Sequence, residues 1–328
     1  MYICPVRRFF ILSIIASILI PAGSAKANVT PQSGLQAPTL VIVDTALDTS
    51  MSIFKDKLVQ EVCIVEFDVC PNGKAIMEGP GSATLPRDLL VRKDLEHGTQ
   101  MASLALRTNP QIKLIFIRIA GVDSKTKLLK PRGNRTIEMV LDWIIANQSK
   151  YNIHAVAVTQ STYNVSSPKL PFYLSAPGTD YCPKYPNTEV KINQLIKIGV
   201  PTFFPTGNNR DQSRVGWPSC IASSIAVGAV YDYGDVADYS NNDVKLVDFY
   251  AQGNNQVLSP GNKLVGTNGT SGAAIIASTI WTTVKTKRPE LDFNQTFKSI
   301  IETAKTARFL SNTKLVNSNK YIVMPNSQ

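Results

Sequence analysis

The sequence has few histidines and cysteines, and little charge for its length. Only two of its 328 residues are histidine and five are cysteine, with no Cys-x-x-Cys pair. A zinc site built from closely spaced cysteine and histidine ligands is therefore a weak interpretation. Charged residues make up 18% of the chain and apolar residues 44%, which excludes an intrinsically disordered protein. The 20 prolines and 19 glycines are near average, which excludes collagen-like and low-complexity architectures.

Long apolar runs are missing after the first 20 residues. The N-terminus carries Arg7 and Arg8, then an apolar run over 9–20, then small residues around Lys26. This order predicts a secretory signal peptide over 1–27. The run is too short to span a bilayer comfortably, although an uncleaved anchor remains the alternative. We therefore expect a secreted or periplasmic protein with no stable membrane anchor after cleavage.

The remainder of the chain is mildly basic. The whole sequence has 34 Lys and Arg against 24 Asp and Glu, a net charge of +10. Segment 1–27 contains three of the cations and no acid, so 31 cations face 24 acids and the charge falls to +7. The densest basic run, 125–135, has no aromatic residue on which a base could stack. A solvated loop is the favoured interpretation, and we expect no nucleic-acid partner.

Four cysteines follow the predicted signal peptide: Cys63, Cys70, Cys182 and Cys220. An even number in an exported chain predicts two disulfides. The short spacing of Cys63 and Cys70 favours a local bridge between them, which leaves Cys182 to pair with Cys220. Four cysteines allow three pairings, so this pairing is a preference.

Short apolar runs alternate with segments of helical periodicity. This alternation predicts an α/β domain in which helices cover both faces of a mostly parallel sheet. The predicted strands are 39–44, 113–120, 154–161, 200–204 and 224–230. The predicted helices are 97–107, 134–149, 188–198, 271–287 and 293–304. No repeat or long linker divides the chain, so we expect a short segment over 28–38 and a single domain over 39–328.

Four polar residues stand at predicted strand ends or helix starts, where sites of such folds gather. Asp44 ends the run TLVIVD, and His97 opens the helical segment HGTQMAS. Asn208 follows a strand in PTGNN, and Ser271 begins an alanine-rich helix in GTSGAA. Each alone has an ordinary explanation as a turn residue, a helix cap or a structural histidine. Their combination carries the functional argument.

The order and context of these four residues resemble the subtilase (subtilisin-like) family of serine proteases. VIVDTALD is similar to the family's aspartate block, HGTQMAS to its histidine block, PTGNN to its oxyanion-asparagine block and GTSGAA to its serine block. VAVTQST is similar to the substrate strand, which assigns Ser161, Thr162 and Tyr163 to substrate binding. The resemblance covers 39–287 and implies a subtilisin-like three-layer αβα sandwich.

The resemblance implies acyl transfer that uses neither a cofactor nor a metal ion. Asp44 would orient His97, and His97 would take the proton of the Ser271 hydroxyl as it attacks a peptide carbonyl. The Asn208 amide and the Ser271 backbone N–H would bind the resulting oxyanion. The implied function is an exported serine endopeptidase that hydrolyses proteins or peptides through an acyl-enzyme intermediate.

Several positions depart from the family pattern. Ala46 stands where the aspartate block usually has glycine, and it would be strained if φ is positive there. Gln100 replaces a common second histidine, Ile275 replaces a proline after the serine, and Tyr163 replaces a glycine beside the substrate strand. Segment 28–38 is too short for the family's folding pro-domain, so the chain would fold unaided, rely on its disulfides or use a folding partner. The possible partners besides substrate are therefore an unidentified inhibitor or folding partner. No calcium-binding loop is recognisable.

Two other functions stay open. A catalytically inactive subtilase fold used for binding is the alternative that the departures favour, whereas retention of Asp44, His97 and Ser271 favours the peptidase. An unrelated α/β binding protein would match the blocks by chance, and its structure would keep these three side chains apart.

Overall fold

The computed structural model describes residues 37–130, 132–162, 182–243, 245–306 and 320–322. Within these residues the chain forms twelve strands, six α-helices and a single 3-10 turn at Ser52–Phe54. Tyr163, which the resemblance assigns to substrate binding, lies outside the described residues.

The strands and helices alternate through most of the chain. The strands are β1 (Thr39–Asp44), β2 (Leu58–Ile64), β3 (Ile76–Glu78), β4 (Lys113–Arg118), β5 (Ile153–Val158), β6 (Thr202–Pro205), β7 (Ile225–Val230), β8 (Phe249–Gln252), β9 (Asn254–Ser259), β10 (Lys263–Asn268), β11 (Lys305–Thr306) and β12 (Lys320–Ile322). The helices are α1 (Arg87–Leu90), α2 (His97–Thr108), α3 (Asn134–Asn147), α4 (Pro186–Lys197), α5 (Thr270–Lys287) and α6 (Phe293–Thr303).

Ten of these strands form one sheet, in the order β11-β12-β8-β7-β6-β5-β1-β4-β2-β3. Eight of them run parallel, and only β3 and β11, at the two edges, are antiparallel to their neighbours. Strands β9 and β10 form a separate antiparallel hairpin. The prediction of a mostly parallel sheet is therefore confirmed. Strand β1 lies between β5 and β4, so Asp44 at its end is near the middle of the sheet.

Alternate side chains of the inner strands pack on opposite faces of the sheet, because the side-chain period of a strand is two. On β1, Leu40 and Ile42 belong to the core beneath α2, α5 and α6, whereas Val41 and Val43 belong to the core beneath α3 and α4. These cores give the three layers of an αβα sandwich. Each fully buried aliphatic side chain contributes about 1.5–3 kcal/mol.

Two disulfides tie loops to this sandwich. The structure joins Cys63 to Cys70 and Cys182 to Cys220, as the sequence favours. The first closes a loop at the end of β2, and the second links the segment before α4 to the loop before β7. Among the described helices, none is both long enough and apolar enough to cross a membrane.

Candidate active site

The predicted site residues converge at the carboxyl end of the parallel sheet. Asp44 is the last residue of β1, His97 is the first residue of α2, and Ser271 is the second residue of α5. His97, Asn208 and Ser271 line one cleft of about 510 Å³. Asp44 lies behind His97 and is fully buried. The fold therefore brings together residues that are up to 227 positions apart in the sequence.

The carboxylate of Asp44 contacts one nitrogen of the His97 ring. His97 Nδ1 lies 2.8 Å from Asp44 Oδ2 and 3.0 Å from Oδ1. The His97 side chain is 28% exposed, whereas that of Asp44 is inaccessible to solvent. Because the carboxylate accepts from Nδ1–H, it fixes the tautomer in which Nε2 is free to accept a proton.

Two further groups hold the Asp44 carboxylate in place. The Thr45 backbone N–H donates to Oδ1 over 2.5 Å, and the Thr159 hydroxyl donates to Oδ2. The Thr45 hydroxyl in turn donates to the Leu95 carbonyl and accepts from the Gly98 backbone N–H, each within 2.9 Å. Thr45 thus connects the end of β1 to the first turn of α2, so the carboxylate and the imidazole share one support.

The pKa values of the pair move apart. Burial alone would raise the pKa of Asp44, but the interaction with His97 and the hydrogen bonds from His97, Thr159 and Thr45 outweigh it, and the pKa is lowered. Burial alone would lower the pKa of His97, but Asp44 outweighs it and the pKa is raised, against an opposing contribution from Arg132. The pair is therefore built to stabilise a positively charged imidazole.

Ser271 lies where the first turn of α5 presents unpaired backbone N–H groups and the positive end of the helix dipole. Its hydroxyl donates to the Thr159 carbonyl oxygen over 3.0 Å. The preceding Gly269 has φ = +146°, and an added Cβ there would lie 3.2 Å from the Asn208 amide. The sharp turn before the serine thus needs a glycine.

The side-chain oxygen of Asn208 already accepts hydrogen bonds within the protein. Its Oδ1 accepts from the Thr270 backbone N–H over 2.9 Å and from the Thr270 hydroxyl over 3.0 Å. This pairing leaves the Nδ2 donor for a ligand in the cleft, beside Ser271. The fully buried Asn241 supports this loop, since its Oδ1 accepts from the Asn209 backbone N–H over 2.7 Å.

The structure describes two of the three residues that the resemblance assigns to substrate binding. Ser161 and Thr162 line the cleft with Ser271, and the Thr162 backbone pairs with Trp217 through two hydrogen bonds of 2.8 and 2.9 Å. A second cavity, of about 880 Å³, lies on the other side of His97 between α2 and the β9–β10 hairpin. Lys93 and His97 line both cavities.

The departures from the family pattern have local explanations. Ala46 is buried and is not among the residues with positive φ, so the condition under which alanine would be strained is not met. The tight position is Gly98, where an added Cβ would lie 2.4 Å from the Ala46 carbonyl oxygen. Gln100 donates to the Ser259 hydroxyl over 2.8 Å, and Ile275 is fully buried within α5.

Sequence reasoning missed two supporting residues, Thr159 and Asn241. Thr159 is part of VAVTQST, but nothing in that run shows that its side chain returns to β1. Asn241 lies in the polar run Ser-Asn-Asn-Asp over 240–243, and only the fold reveals that its side chain is buried. The one feature visible in the sequence is a threonine near the end of the predicted strand 154–161.

A buried carboxylate on an imidazole, beside a serine at a helix start and a free amide donor, is the arrangement of a serine-type peptidase. The model of the subtilase family matches residues 36–320, and the chain belongs to that family. Among the described residues, no group of three or more His, Cys, Asp or Glu side chains is arranged to hold a metal ion.

Solved structures with subtilisin-like folds resemble the chain at low identity. A cold-adapted subtilisin-like serine proteinase is 15% identical with a TM-score of 0.61, over 88% of this chain and 89% of that one. The prenylagaramide maturation protease PagA is 17% identical with a TM-score of 0.56, over 82% and 84%. A mutant of the protease domain of PatA is 15% identical with a TM-score of 0.58, over 83% and 90%. No curated protein is a significant match to the chain.

Proposed function

We propose that the chain is an exported serine endopeptidase in which Asp44, His97 and Ser271 form the catalytic triad. The observation that carries the proposal is the buried Asp44 carboxylate, 2.8 Å from His97 Nδ1, behind a cleft that His97 shares with Ser271. The substrates are proteins or peptides, since the chemistry of such a triad is acyl transfer to water.

The reaction begins when the Ser271 hydroxyl turns from the Thr159 carbonyl oxygen towards His97 Nε2. His97 takes the proton as Oγ bonds to the peptide carbonyl carbon, and the imidazolium is stabilised by Asp44. The imidazolium then protonates the leaving amine, and the C–N bond breaks to give the acyl-enzyme. Water, deprotonated by His97, attacks the ester and releases the acid and the free serine.

The oxyanion of the tetrahedral intermediate is bound by Asn208 Nδ2 and the Ser271 backbone N–H. Losing one such donor typically costs about 3 kcal/mol of transition-state stabilisation. We expect Asn208→Ala to lower kcat by about 100-fold or more, measured with a fluorogenic peptide. An unchanged kcat in the folded variant would remove Asn208 from this role.

Export rests on the N-terminal pattern and on the cysteines. Segment 1–27 is proposed as a cleaved signal peptide, 28–38 as a short N-terminal segment and 39–328 as the catalytic domain. Two disulfides among the described residues agree with a secreted or periplasmic location, because disulfides persist in oxidising compartments. The proposed partners other than substrate are an unidentified inhibitor or folding partner.

A fluorophosphonate probe tests the proposed function, because it reacts only with an activated serine. We expect covalent labelling of the folded protein at mildly alkaline pH and its loss in Ser271→Ala. Ser278→Ala is the matched control, since Ser278 lies in the same helix and donates to the Ile275 carbonyl, away from the cleft. Failure of the folded wild-type protein to label would favour the inactive binding protein.

A further inference from the structure

Arg132 lies at the edge of the cleft, two residues before α3 begins at Asn134. Its side chain lines the cleft together with His97 and Ser271. It also lines a small neighbouring cavity of about 40 Å³, which includes Ile119 and Trp217. Arg132 Nη1 is buried and has no hydrogen-bond partner among the described residues. Arg132 thus lines the cleft, and one of its guanidinium nitrogens, which the protein encloses, has unused hydrogen-bonding capacity.

Two neighbouring cations are already paired, whereas Lys93, which also lines the cleft, is in none of the ion pairs among the described residues. Lys130 lies 3.0 Å from Asp68, and Arg92 contacts Asp94 through both Nε and Nη2. Asp94 is the only carboxylate among the cleft-lining residues that the structure describes, so its charge is already balanced. Within the described chain, no carboxylate lies within ion-pair distance of Arg132.

A half-buried, unpaired guanidinium is costly to the free protein, and a carboxylate from a ligand would remove that cost. Arginine donates in a planar fork that matches a carboxylate, and charge-assisted hydrogen bonds are about twice as strong as neutral ones. A neutral amide in the same place would leave the positive charge unbalanced. Discrimination between acid and amide is therefore large at such a site.

The position of Arg132 relative to the proposed nucleophile selects one side of the cleft. Arg132 shares the cleft and the small cavity with Gln160, Ser161 and Thr162, the segment that the family resemblance assigns to substrate. The amide-rich cavity on the other side of His97 does not include Arg132. A substrate group that meets Arg132 therefore lies on the Ser161–Thr162 side of the site, which we take as the acyl side of the bound peptide.

We propose that Arg132 is a specificity-determining residue that binds a glutamate or aspartate side chain of the peptide, in a position before the cleaved bond. The proposal rests on the proposed function and adds to it the substrate class: peptides with an acidic residue on the acyl side.

Matched peptide pairs test this assignment. Each pair carries Glu or Gln at one of the four positions before the cleaved bond, and kcat/KM is measured for both. We expect a Glu over Gln ratio of about tenfold or more at one position, since hydrogen bonds to charged groups contribute about 1.5–3 kcal/mol. Arg132→Gln should bring that ratio close to one.

Three further variants keep the test decisive. Lys125→Gln removes the same charge from the same basic run at an exposed residue that does not line the cleft, and it should retain the ratio. Arg132→Lys should retain part of the preference, which guards against a folding defect in Arg132→Gln. Arg132→Glu should reverse the preference, so that a Lys peptide is cleaved faster than its Gln partner.

The outcomes separate the two proposals. Protein that is labelled by fluorophosphonate but shows no Glu preference overturns the role of Arg132 and leaves the peptidase intact. A Glu preference that survives in Arg132→Gln overturns it equally. Folded protein that is not labelled overturns the proposed function, and the inference that rests on it falls as well.

Discussion

Thr159 contacts two of the three proposed catalytic residues. Its hydroxyl donates to the Asp44 carboxylate, and its carbonyl oxygen accepts from the Ser271 hydroxyl. The hydroxyl also approaches the Val43 carbonyl at 3.2 Å. Thr159 is therefore a positioning residue, because it acts on the reaction through Asp44 rather than through substrate.

Replacing Thr159 by valine keeps the branched shape of the side chain and removes the hydroxyl. We expect kcat to fall by about tenfold or more, because the buried carboxylate loses a donor. Thr159→Ser keeps the hydroxyl and should restore most of the activity, which a purely steric role would not explain. The measurement is kcat for one fluorogenic peptide, and a fully active valine variant would contradict the role.

The raised pKa of His97 predicts the pH profile. The active form carries a neutral imidazole, so activity is present above this pKa and is lost as the pH falls through it. The acid limb of kcat/KM should therefore lie above that of an ordinary histidine. Among the groups that act on His97, Asp44 and Glu96 raise its pKa and Arg132 lowers it.

These charges give opposite shifts in two variants. Arg132→Gln should move the acid limb to higher pH, and Glu96→Gln should move it to lower pH, both measured with a neutral peptide. If the acid limb moved in the same direction in both variants, its assignment to His97 would be contradicted.

For individual residues, the sequence predicts the groups proposed to react but not the residues that hold them in place. The reacting groups lie in motifs whose spacing and order can be recognised in the sequence itself, namely those of Asp44, His97, Asn208 and Ser271. The support from Thr159 depends on β5 lying next to β1, which no local pattern specifies.

The first turn of α2 packs directly on the loop that follows β1. An added Cβ at Gly98 would lie 2.4 Å from the Ala46 carbonyl oxygen and 2.6 Å from Phe116 Cζ. Backbone on one side and a fully buried ring on the other leave little room to relax. The close approach explains why a glycine directly follows His97.

Gly98→Ala should lower the free energy of unfolding by about 1–3 kcal/mol, since overpacking forces the backbone to shift. Activity should fall as well, because His97 begins the same helix. Gly266→Ala is a matched control, as its Cβ would meet only the Gln256 amide at 3.7 Å. Denaturant unfolding and kcat together check the prediction, and equal stability of both variants would contradict it.

Element prediction works best for the inner strands and for the longer helices. Strands covered on both faces read as continuous apolar runs, as in TLVIVD, and the predicted bounds of β1 and α5 agree with the structure to within one residue. Strand β2 lies nearer the sheet edge and includes Gln60 and Glu61, so its pattern is weaker. The hairpin of β9 and β10 is half-exposed and polar, and its pairing is set by tertiary contact.

The described part of the chain after residue 36 combines one large sandwich with two disulfides. The Cys182–Cys220 bridge closes a sequence separation of 38 residues, whereas Cys63–Cys70 closes 7. A bridge stabilises mainly by restricting the unfolded chain, and longer loops gain more in this model.

The double variant Cys182→Ser/Cys220→Ser should lose about 2–4 kcal/mol of unfolding free energy. Denaturant midpoints under oxidising conditions give the loss. Reduction of the wild-type protein should lower the midpoint at least as far, because it opens Cys63–Cys70 as well. An unchanged midpoint would mean that this bridge adds nothing to stability.

The position of Thr159 has a consequence for how the site tolerates thermal motion. Thr159, which directly follows β5, holds Asp44 through its hydroxyl and Ser271 through its carbonyl oxygen. A small displacement of β5 would therefore move both hydrogen-bond partners in the same direction. Because one residue contacts both groups, we expect the distance between the Asp44 carboxylate and the Ser271 hydroxyl to vary less than the distance from either group to the His97 ring, which α2 carries.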